Sequence, residues 1–348
     1  MNVCLVLYKY EVSLDDPCCY PLGFMYVSNY IRSLNHRVKV LNYNLWDYDF
    51  KEEIKNQDLV FFTGFEEFKD KILRDEQICR DAGVSTVVGG ALATFGGINE
   101  FQGIKYRGEV DKVSQAFFPD YEGFGIEEYH KRHAQRYMGV LTSRGCPYSC
   151  TFCAQTCKFS LRKLDDVFLE VEYYILKYNL DAIIFNDNTL NINKSRFMNI
   201  CKRIRVPWGA SIRCQPFDEE MAIAAVQSNC SYLIVGVESF NQDKLDRMNK
   251  KIKVKQIVRT LDLLNKYKIP YHGNILVGFE NEKYSDIASE ISGIPPQYSV
   301  FPVMVQPFIG TKEGRVRSVS TKSYRYLNKL FLQYAKDGGK TCYPQLES

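Results

Sequence analysis

Short apolar runs rich in β-branched residues recur along this chain, and between them lie stretches whose apolar positions are spaced three to four residues apart. In the first 118 residues the runs fall at 3–7, 38–41, 59–62 and 84–88, each bounded by polar residues or glycine. Such continuous apolar runs suit strands covered on both faces. The stretches at 24–34 and 66–82 read as helices, the second stopping at Gly83 as a helix end should. This alternation predicts an α/β domain over 1–118, a parallel, doubly wound, Rossmann-like sheet with right-handed crossovers. Sheets of that kind bind small molecules beyond the carboxyl ends of their strands. Here those ends carry Thr63-Gly64 and Gly89-Gly90-Ala91, where absent side chains leave the backbone open to a large flat ligand. The plainer alternative is that Gly89 and Gly90 only let a helix pack closely.

Residues 119–136 read as a polar linker, starting at Pro119 and containing Gly123, Gly125 and a charged run at 127–136. A second alternating series follows. Apolar runs at 139–142, 182–185, 208–212, 232–235, 274–277 and 300–305 read as strands, and helices are expected at 165–178, 194–204, 219–228 and 254–267. Six successive strand and helix units predict a partial, TIM-like (β/α)6 barrel over 137–311, with its site at the carboxyl ends of the strands. Residues 312–348, rich in Lys and Tyr, read as a short C-terminal extension over that barrel.

Composition narrows the partners more than the fold. Of 348 residues, 45% are hydrophobic and 25% charged, which excludes collagen-like, low-complexity and disordered classes. Lys plus Arg number 45 against 41 Asp plus Glu, and a net charge of +4 does not indicate nucleic acid. No run approaches the ~20 apolar residues of a membrane span. The first eight residues lack the basic start and long apolar core of a secretory signal, so a cytoplasmic location is expected. In a reducing compartment the 12 Cys do not make a disulfide framework, and most read as small buried hydrophobes. The 4 His are too scattered for a histidine metal site.

One cysteine subset has ligand spacing. After the first barrel strand comes Ser143-Arg144-Gly145-Cys146-Pro147-Tyr148-Ser149-Cys150-Thr151-Phe152-Cys153, a C-x3-C-x2-C pattern. Three thiolates on one tight loop can ligate three irons of a 4Fe-4S cluster and leave the fourth iron open. A structural zinc site would have four closed ligands, commonly two C-x2-C pairs. Cys157 is read as a bystander, since a fourth protein sulfur would close the open iron.

At this point the sequence resembles the radical S-adenosylmethionine (SAM) enzymes, whose signature is this spacing with an aromatic residue before the last cysteine, here Phe152. The resemblance continues at the later strand ends. Phe185-Asn186-Asp187-Asn188-Thr189 is similar to the segment that holds the methionine end of SAM. Arg213 closes the third strand, where a guanidinium can pair with the SAM carboxylate in bidentate fashion. Glu238, in Gly236-Val237-Glu238-Ser239, is placed to accept from ribose hydroxyls. Gly278-Phe279-Glu280-Asn281-Glu282 is similar to the family's Gly-x-Pro-Gly-Glu turn without its Pro and second Gly. Gln306-Pro307-Phe308-Ile309-Gly310-Thr311 is similar to its Pro-Gly-Thr segment. Asp187 and Glu280 serve equally well as helix caps or turn residues.

The N-terminal region resembles the cobalamin-binding domain that precedes the barrel in one large subgroup of these enzymes. Tyr20-Pro21-Leu22-Gly23 is similar to the opening of that domain's first helix, Gly89-Gly90-Ala91-Leu92-Ala93-Thr94 to its Gly-Gly-x-x-x-Thr loop, and Arg107-Gly108-Glu109 to its Gly-Glu segment. On this resemblance Gly64, Gly89, Gly90 and Thr94 line the corrin face. The Asp-x-His-x-x-Gly motif by which many cobalamin proteins ligate cobalt is absent. Cys18 and Cys19 are read as packing residues.

The resemblance implies a cobalamin-dependent radical SAM methyltransferase acting on an unactivated carbon through a 5'-deoxyadenosyl radical and methylcobalamin. Cys146, Cys150 and Cys153 would hold the cluster, and Phe152, Asn186, Arg213, Glu238, Ser239 and Gly278 would contact SAM. The implied partners are a small-molecule or peptide substrate and an electron donor such as flavodoxin or ferredoxin. Two alternatives stand beside it: a radical SAM enzyme that cyclises, rearranges or oxidises without cobalamin, and a non-catalytic iron-sulfur protein.

Overall fold

The apolar runs of the N-terminal half become strands β1 (Asn2–Leu7), β2 (Arg37–Asn42), β3 (Leu59–Thr63), β4 (Ser85–Gly89) and the short β5 (Ile104–Lys105). They pair in parallel in the order β2-β1-β3-β4-β5, so the winding direction reverses between β1 and β3. This is a doubly wound α/β sheet, and its ligand crevice belongs at that reversal. The chain is described by a computed structural model covering residues 1–9, 21–108, 118–132, 135–154, 157–279, 282–305, 311–312, 333–334, 336 and 340–341. Tyr20, Cys18, Cys19, Glu109, Glu280, Asn281 and the 306–310 segment lie outside the described residues. Two units divide the chain, Met1–Gly139 and Val140–Ser348.

In the first unit, five of the six residues of β1 are buried, because helices cover both faces of the sheet. Cys4, Val6, Val60, Phe62, Ile72 and Val88 form the centre of its core. The region read as one helix over 66–82 opens with a 3-10 turn, Glu66–Phe68, and continues as the helix Lys69–Asp81. Gly83 follows with φ +72°, and the Val84 N–H returns to the Cys79 carbonyl, which satisfies a helix-end acceptor.

Residues 119–136 differ from the polar linker read in the sequence. They contain the helix Ile126–Arg132, and Tyr121, Phe124 and Tyr129 are buried. Asn42 Nδ2 donates to the Phe124 carbonyl (3.0 Å) and the Tyr129 hydroxyl (3.1 Å), while Asp120 accepts from Arg32 Nε and Ser28 Oγ, both at 2.7 Å. Widely spaced aromatics inside a charged string carry no clean period, yet they fasten the segment to the first unit.

The second unit is built on β6 (Tyr137–Val140), in which the unit boundary falls. It then runs through β7 (Ser143–Arg144), β8 (Ser160–Leu161), β9 (Ala182–Phe185), β10 (Trp208–Arg213), β11 (Cys230–Glu238), β12 (Tyr271–Val277), β13 (Ser299–Met304) and β14 (Lys340–Thr341). Strands β6, β9, β10, β11, β12 and β13 lie side by side in chain order, with β14 beyond β13. The strands pair in parallel from β9 to β14, the arrangement of a (β/α) barrel cut open. Helices Leu164–Tyr178, Lys194–Arg203, Glu219–Gln227, Val254–Lys266 and Tyr284–Ser292 connect them. Asn193 and Asp218 cap two of these by accepting from the N–H of Arg196 and Met221. Among the described residues, no helix is long and apolar enough to cross a membrane.

Candidate functional site

The three spaced cysteines sit on one closed loop. Strands β7 and β8 pair antiparallel, Ser143 with Leu161 and Arg144 with Ser160, so residues 145–159 leave and re-enter through a two-residue ladder. Gly145 makes the first turn at φ +61°, and a Cβ there would stand 2.7 Å from the Cys157 carbonyl oxygen and 2.9 Å from that of Lys158. Both the left-handed backbone and the contact demand glycine. Replacing Gly145 by alanine will cost about 1–2 kcal/mol for the backbone alone. Thermal unfolding of the cofactor-free protein will show the loss, and iron uptake will fall with it.

The base of the loop is held by buried polar groups. Asp187, just past β9, accepts from the Thr142 N–H and hydroxyl, both at 2.9 Å, and from the Ser143 hydroxyl. Burial pushes its carboxyl above the ordinary range, against the pull of these donors. Arg162 Nη1 donates to the Leu141 carbonyl (2.7 Å), Arg196 Nη2 donates to the Thr142 carbonyl (2.7 Å), and Arg162 pairs with buried Glu170 at 2.6 Å. Burial pushes Glu170 up to about 7, opposed by that guanidinium.

On the other side of the loop the ends of β10 and β11 supply the charges. Arg213 Nη1 lies 3.8 Å from Cys150 Sγ, its guanidinium carbon is 3.7 Å from the centre of the Tyr148 ring, and Nη2 donates to the Lys250 carbonyl. Its backbone is fixed by Asn191, whose amide donates to the Arg213 carbonyl (2.8 Å) and accepts from the Arg213 N–H (2.9 Å). Glu238, at φ +67°, pairs through Oε1 with Lys250 Nζ at 2.6 Å. Lys250 is buried and stands 5.9 Å over the Phe152 ring. The segment 248–251 is fastened to the cysteine loop: the Thr151 N–H donates to the Met248 carbonyl (3.0 Å), and Asn249 Nδ2 to the Ser149 carbonyl (2.8 Å).

The remaining residues singled out in the sequence divide into two groups. Asn186 is half-buried at the end of β9, its N–H on the Val140 carbonyl at 2.8 Å. Ser239 and Gly278 belong to a buried network instead. The Ser239 hydroxyl donates to Glu290, whose other oxygen meets Lys244 Nζ at 3.1 Å. Lys244 also pairs with Glu282 at 2.5 Å, and Glu282 accepts from the N–H groups of Gly278 (2.6 Å) and Phe279 (3.2 Å). Gly278, at φ +89°, thereby wraps a turn around a carboxylate.

The first unit gives its glycines three different reasons. A Cβ on Gly64 would lie 2.9 Å from Cδ2 of the Phe68 ring, so that position is closed by packing. Gly90 has φ +75°, and a Cβ would meet Thr63 Oγ1 at 2.5 Å. Gly89 has an ordinary extended backbone with nothing within 4 Å of a would-be Cβ, so its surface is open at the carboxyl edge of β4. The Thr94 hydroxyl donates to the Gly90 carbonyl (2.7 Å) and accepts from the Gly108 N–H (3.1 Å), closing the loop on itself.

The donor set of the second unit fits an iron-sulfur cluster. Burial pushes the Cys153 thiol up to about 11, and the Cys150 and Cys146 sulfurs add to that, a mutual repulsion that cluster iron relieves. Arg213 Nε and Thr151 Oγ1 are buried with no hydrogen-bond partner among the described residues, so polar groups face the site unsatisfied. Among the described residues no three Cys, His, Asp or Glu close around a single ion. Sequence reasoning missed Lys250 and Asn191. The first is one of many lysines in its stretch, and the second is an unremarked Asn ahead of a helix.

The radical SAM superfamily profile matches residues 140–291. The chain is 26% identical over 215 residues to an uncharacterized methyltransferase of Pyrococcus horikoshii, covering 58% of this chain and 46% of that protein. It is 25% identical over 231 residues to the bacteriochlorophyllide d C-12(1)-methyltransferase of Chlorobaculum tepidum, covering 61% and 50%. The chain therefore spans about half the length of these curated relatives. In fold it is similar to the radical SAM methyltransferase TsrM of Kitasatospora setae, solved with cobalamin and a [4Fe-4S] cluster. The TM-score is 0.70 at 16% identity, with 90% of this chain and 77% of that one covered. The stretch that matches the radical SAM superfamily therefore includes the C-x3-C-x2-C loop and the strand ends at Arg213, Glu238 and Gly278 that follow it in sequence order.

Proposed function

We propose that this chain is a cobalamin-dependent radical SAM enzyme, a methyltransferase acting on an unactivated carbon. The observation that carries the proposal is the closed loop 145–159, which carries three spaced cysteines, with the Cys150 sulfur 3.8 Å from an Arg213 guanidinium whose Nε has no partner among the described residues. In this reading Cys146, Cys150 and Cys153 each hold one iron. Arg213 orients the SAM carboxylate, Asn186 its amino end and Glu238 the ribose, while Phe152 walls the nucleotide. Ser239 and Gly278 shape the β11 and β12 ends through the Lys244 network rather than by direct contact. When bound, the cluster and SAM supply a 5'-deoxyadenosyl radical able to break carbon-hydrogen bonds, and cobalamin supplies a transferable methyl group.

For the first unit we assign the corrin face to the open edge at Gly89 and Gly90, with Gly64 and Thr94 keeping that edge in shape. The structural likeness to a cobalamin-bound methyltransferase and the methyltransferase names of the relatives support this assignment. A cytoplasmic low-potential carrier of the flavodoxin or ferredoxin type would deliver the electron, and the acceptor would be a small molecule or peptide. Anaerobic incubation of the reconstituted protein with SAM, reductant, cobalamin and candidate acceptors is expected to release both 5'-deoxyadenosine and S-adenosylhomocysteine. Release of the first alone would remove methyl transfer, and release of neither would remove the radical reading.

A further inference from the structure

The segment 248–251 enters none of the assignments above, yet three contacts hold it to the cofactor site. The Thr151 N–H reaches the Met248 carbonyl at 3.0 Å, Asn249 Nδ2 reaches the Ser149 carbonyl at 2.8 Å, and Arg213 Nη2 donates to the Lys250 carbonyl. Its backbone is unusual. Asn249 has φ +52° and Lys251 φ +53°, so two residues with side chains sit in the left-handed region on either side of Lys250. Side-chain-bearing residues rarely adopt that region, lysine less readily than asparagine. The outcome of that strained path is a lysine turned inward: the Lys250 side chain is 4% exposed, with its ammonium 2.6 Å from Glu238 Oε1 and over the Phe152 ring.

A buried ammonium is costly unless something compensates it. Glu238 compensates one charge. The cysteine loop borders the same ammonium through the Phe152 ring, 5.9 Å away, and the Gly236 position of the β11 end lies on another side of it. A 4Fe-4S cube held by three thiolates carries one net negative charge when oxidised and two when reduced, before any other ligand is counted. A fixed cation in a low-dielectric wall therefore favours the reduced state.

We propose that Lys250 is a positioning residue of the cofactor site, a buried cation held beside the cysteine loop by Glu238 and by the strained 248–251 segment, which favours the reduced state of the cluster. The proposal rests on the reading of Cys146, Cys150 and Cys153 as cluster ligands. Loss of the Lys250 cation makes the cluster harder to reduce, and loss of its Glu238 counter-charge makes it easier. An electron passes from a low-potential carrier to the cluster in either case, so only the equilibrium moves.

The test is a spectroscopic redox titration of the anaerobically reconstituted full chain at mildly alkaline pH, with iron and sulfide analysis of every sample. Lys250→Gln is expected to weaken reduction about tenfold, equivalent to 59 mV more negative for a one-electron couple. Glu238→Gln is expected to shift in the opposite direction, and Lys250→Arg to stay near the parent value. If Lys250→Gln takes up no cluster, the signs of Glu238→Gln and Lys250→Arg decide. Neutral variants that titrate with the parent, or that shift with the same sign, overturn the role of Lys250 while leaving the cluster in place. A parent chain that binds no iron overturns both this role and the reading beneath it.

Discussion

Single replacement of Cys146, Cys150 or Cys153 by alanine will abolish cluster binding and 5'-deoxyadenosine formation, while Cys157→Ala will retain both. The expected contrast follows from the loop. All four cysteines lie between β7 and β8 and none is in a disulfide, so position alone does not separate them. Cys157 differs in its backbone, since its carbonyl oxygen is one of the atoms that crowd Gly145 and set the turn. A cube with three protein sulfurs cannot lose one without exposing a second iron, and a loss of 5'-deoxyadenosine by at least a hundredfold is expected. Iron and sulfide content per chain, read beside the product assay, checks it. Retention of a full cluster in any of the three variants, or its loss in Cys157→Ala, would reassign the ligand set.

The second large effect concerns the first unit. Gly89→Leu is expected to eliminate cobalamin uptake with little change in thermal stability, because a Cβ there has nothing within 4 Å and the backbone is extended. Gly90→Ala should do the reverse in part, lowering stability by about 1 kcal/mol or more through its φ of +75° and its contact with Thr63. Gly64→Ala must move the Phe68 ring and is expected to be destabilising as well. Titration with a cobalamin followed by absorbance, beside thermal unfolding of the same samples, separates the cases. Undiminished uptake by Gly89→Leu would remove the corrin from the edge of β4.

Much of this architecture is readable before folding, and the reasons for the exceptions are physical. The strands at 59–63, 182–185 and 208–213 are visible because they are short, apolar runs bounded by polar residues or glycine, too short for a buried helix. The β7 and β8 ladder is invisible because two residues per strand leave no period to detect. The helix Tyr284–Ser292 escapes for a similar reason, burying only Ile287 and Ile291. The cysteine spacing announces its chemistry, whereas Lys250 is surrounded by Lys251, Lys253 and Lys255, and which lysine turns inward is decided by the path of 248–251. Three glycines of one type, Gly64, Gly89 and Gly90, answer to ring packing, open space and backbone sign respectively, a distinction that no one-dimensional string encodes.

The foundation beneath the cysteine loop, made by Asp187, Arg162, Arg196 and the β7 and β8 ladder, consists wholly of protein-to-protein bonds. None of these bonds uses a cysteine sulfur, so the foundation is expected to form ahead of the iron. The polypeptide can thus complete its folding first and receive its inorganic load afterwards, with only the tip of a prepared cradle left to settle around the incoming cube. Cofactor delivery would then be a finishing operation, separable from synthesis of the chain.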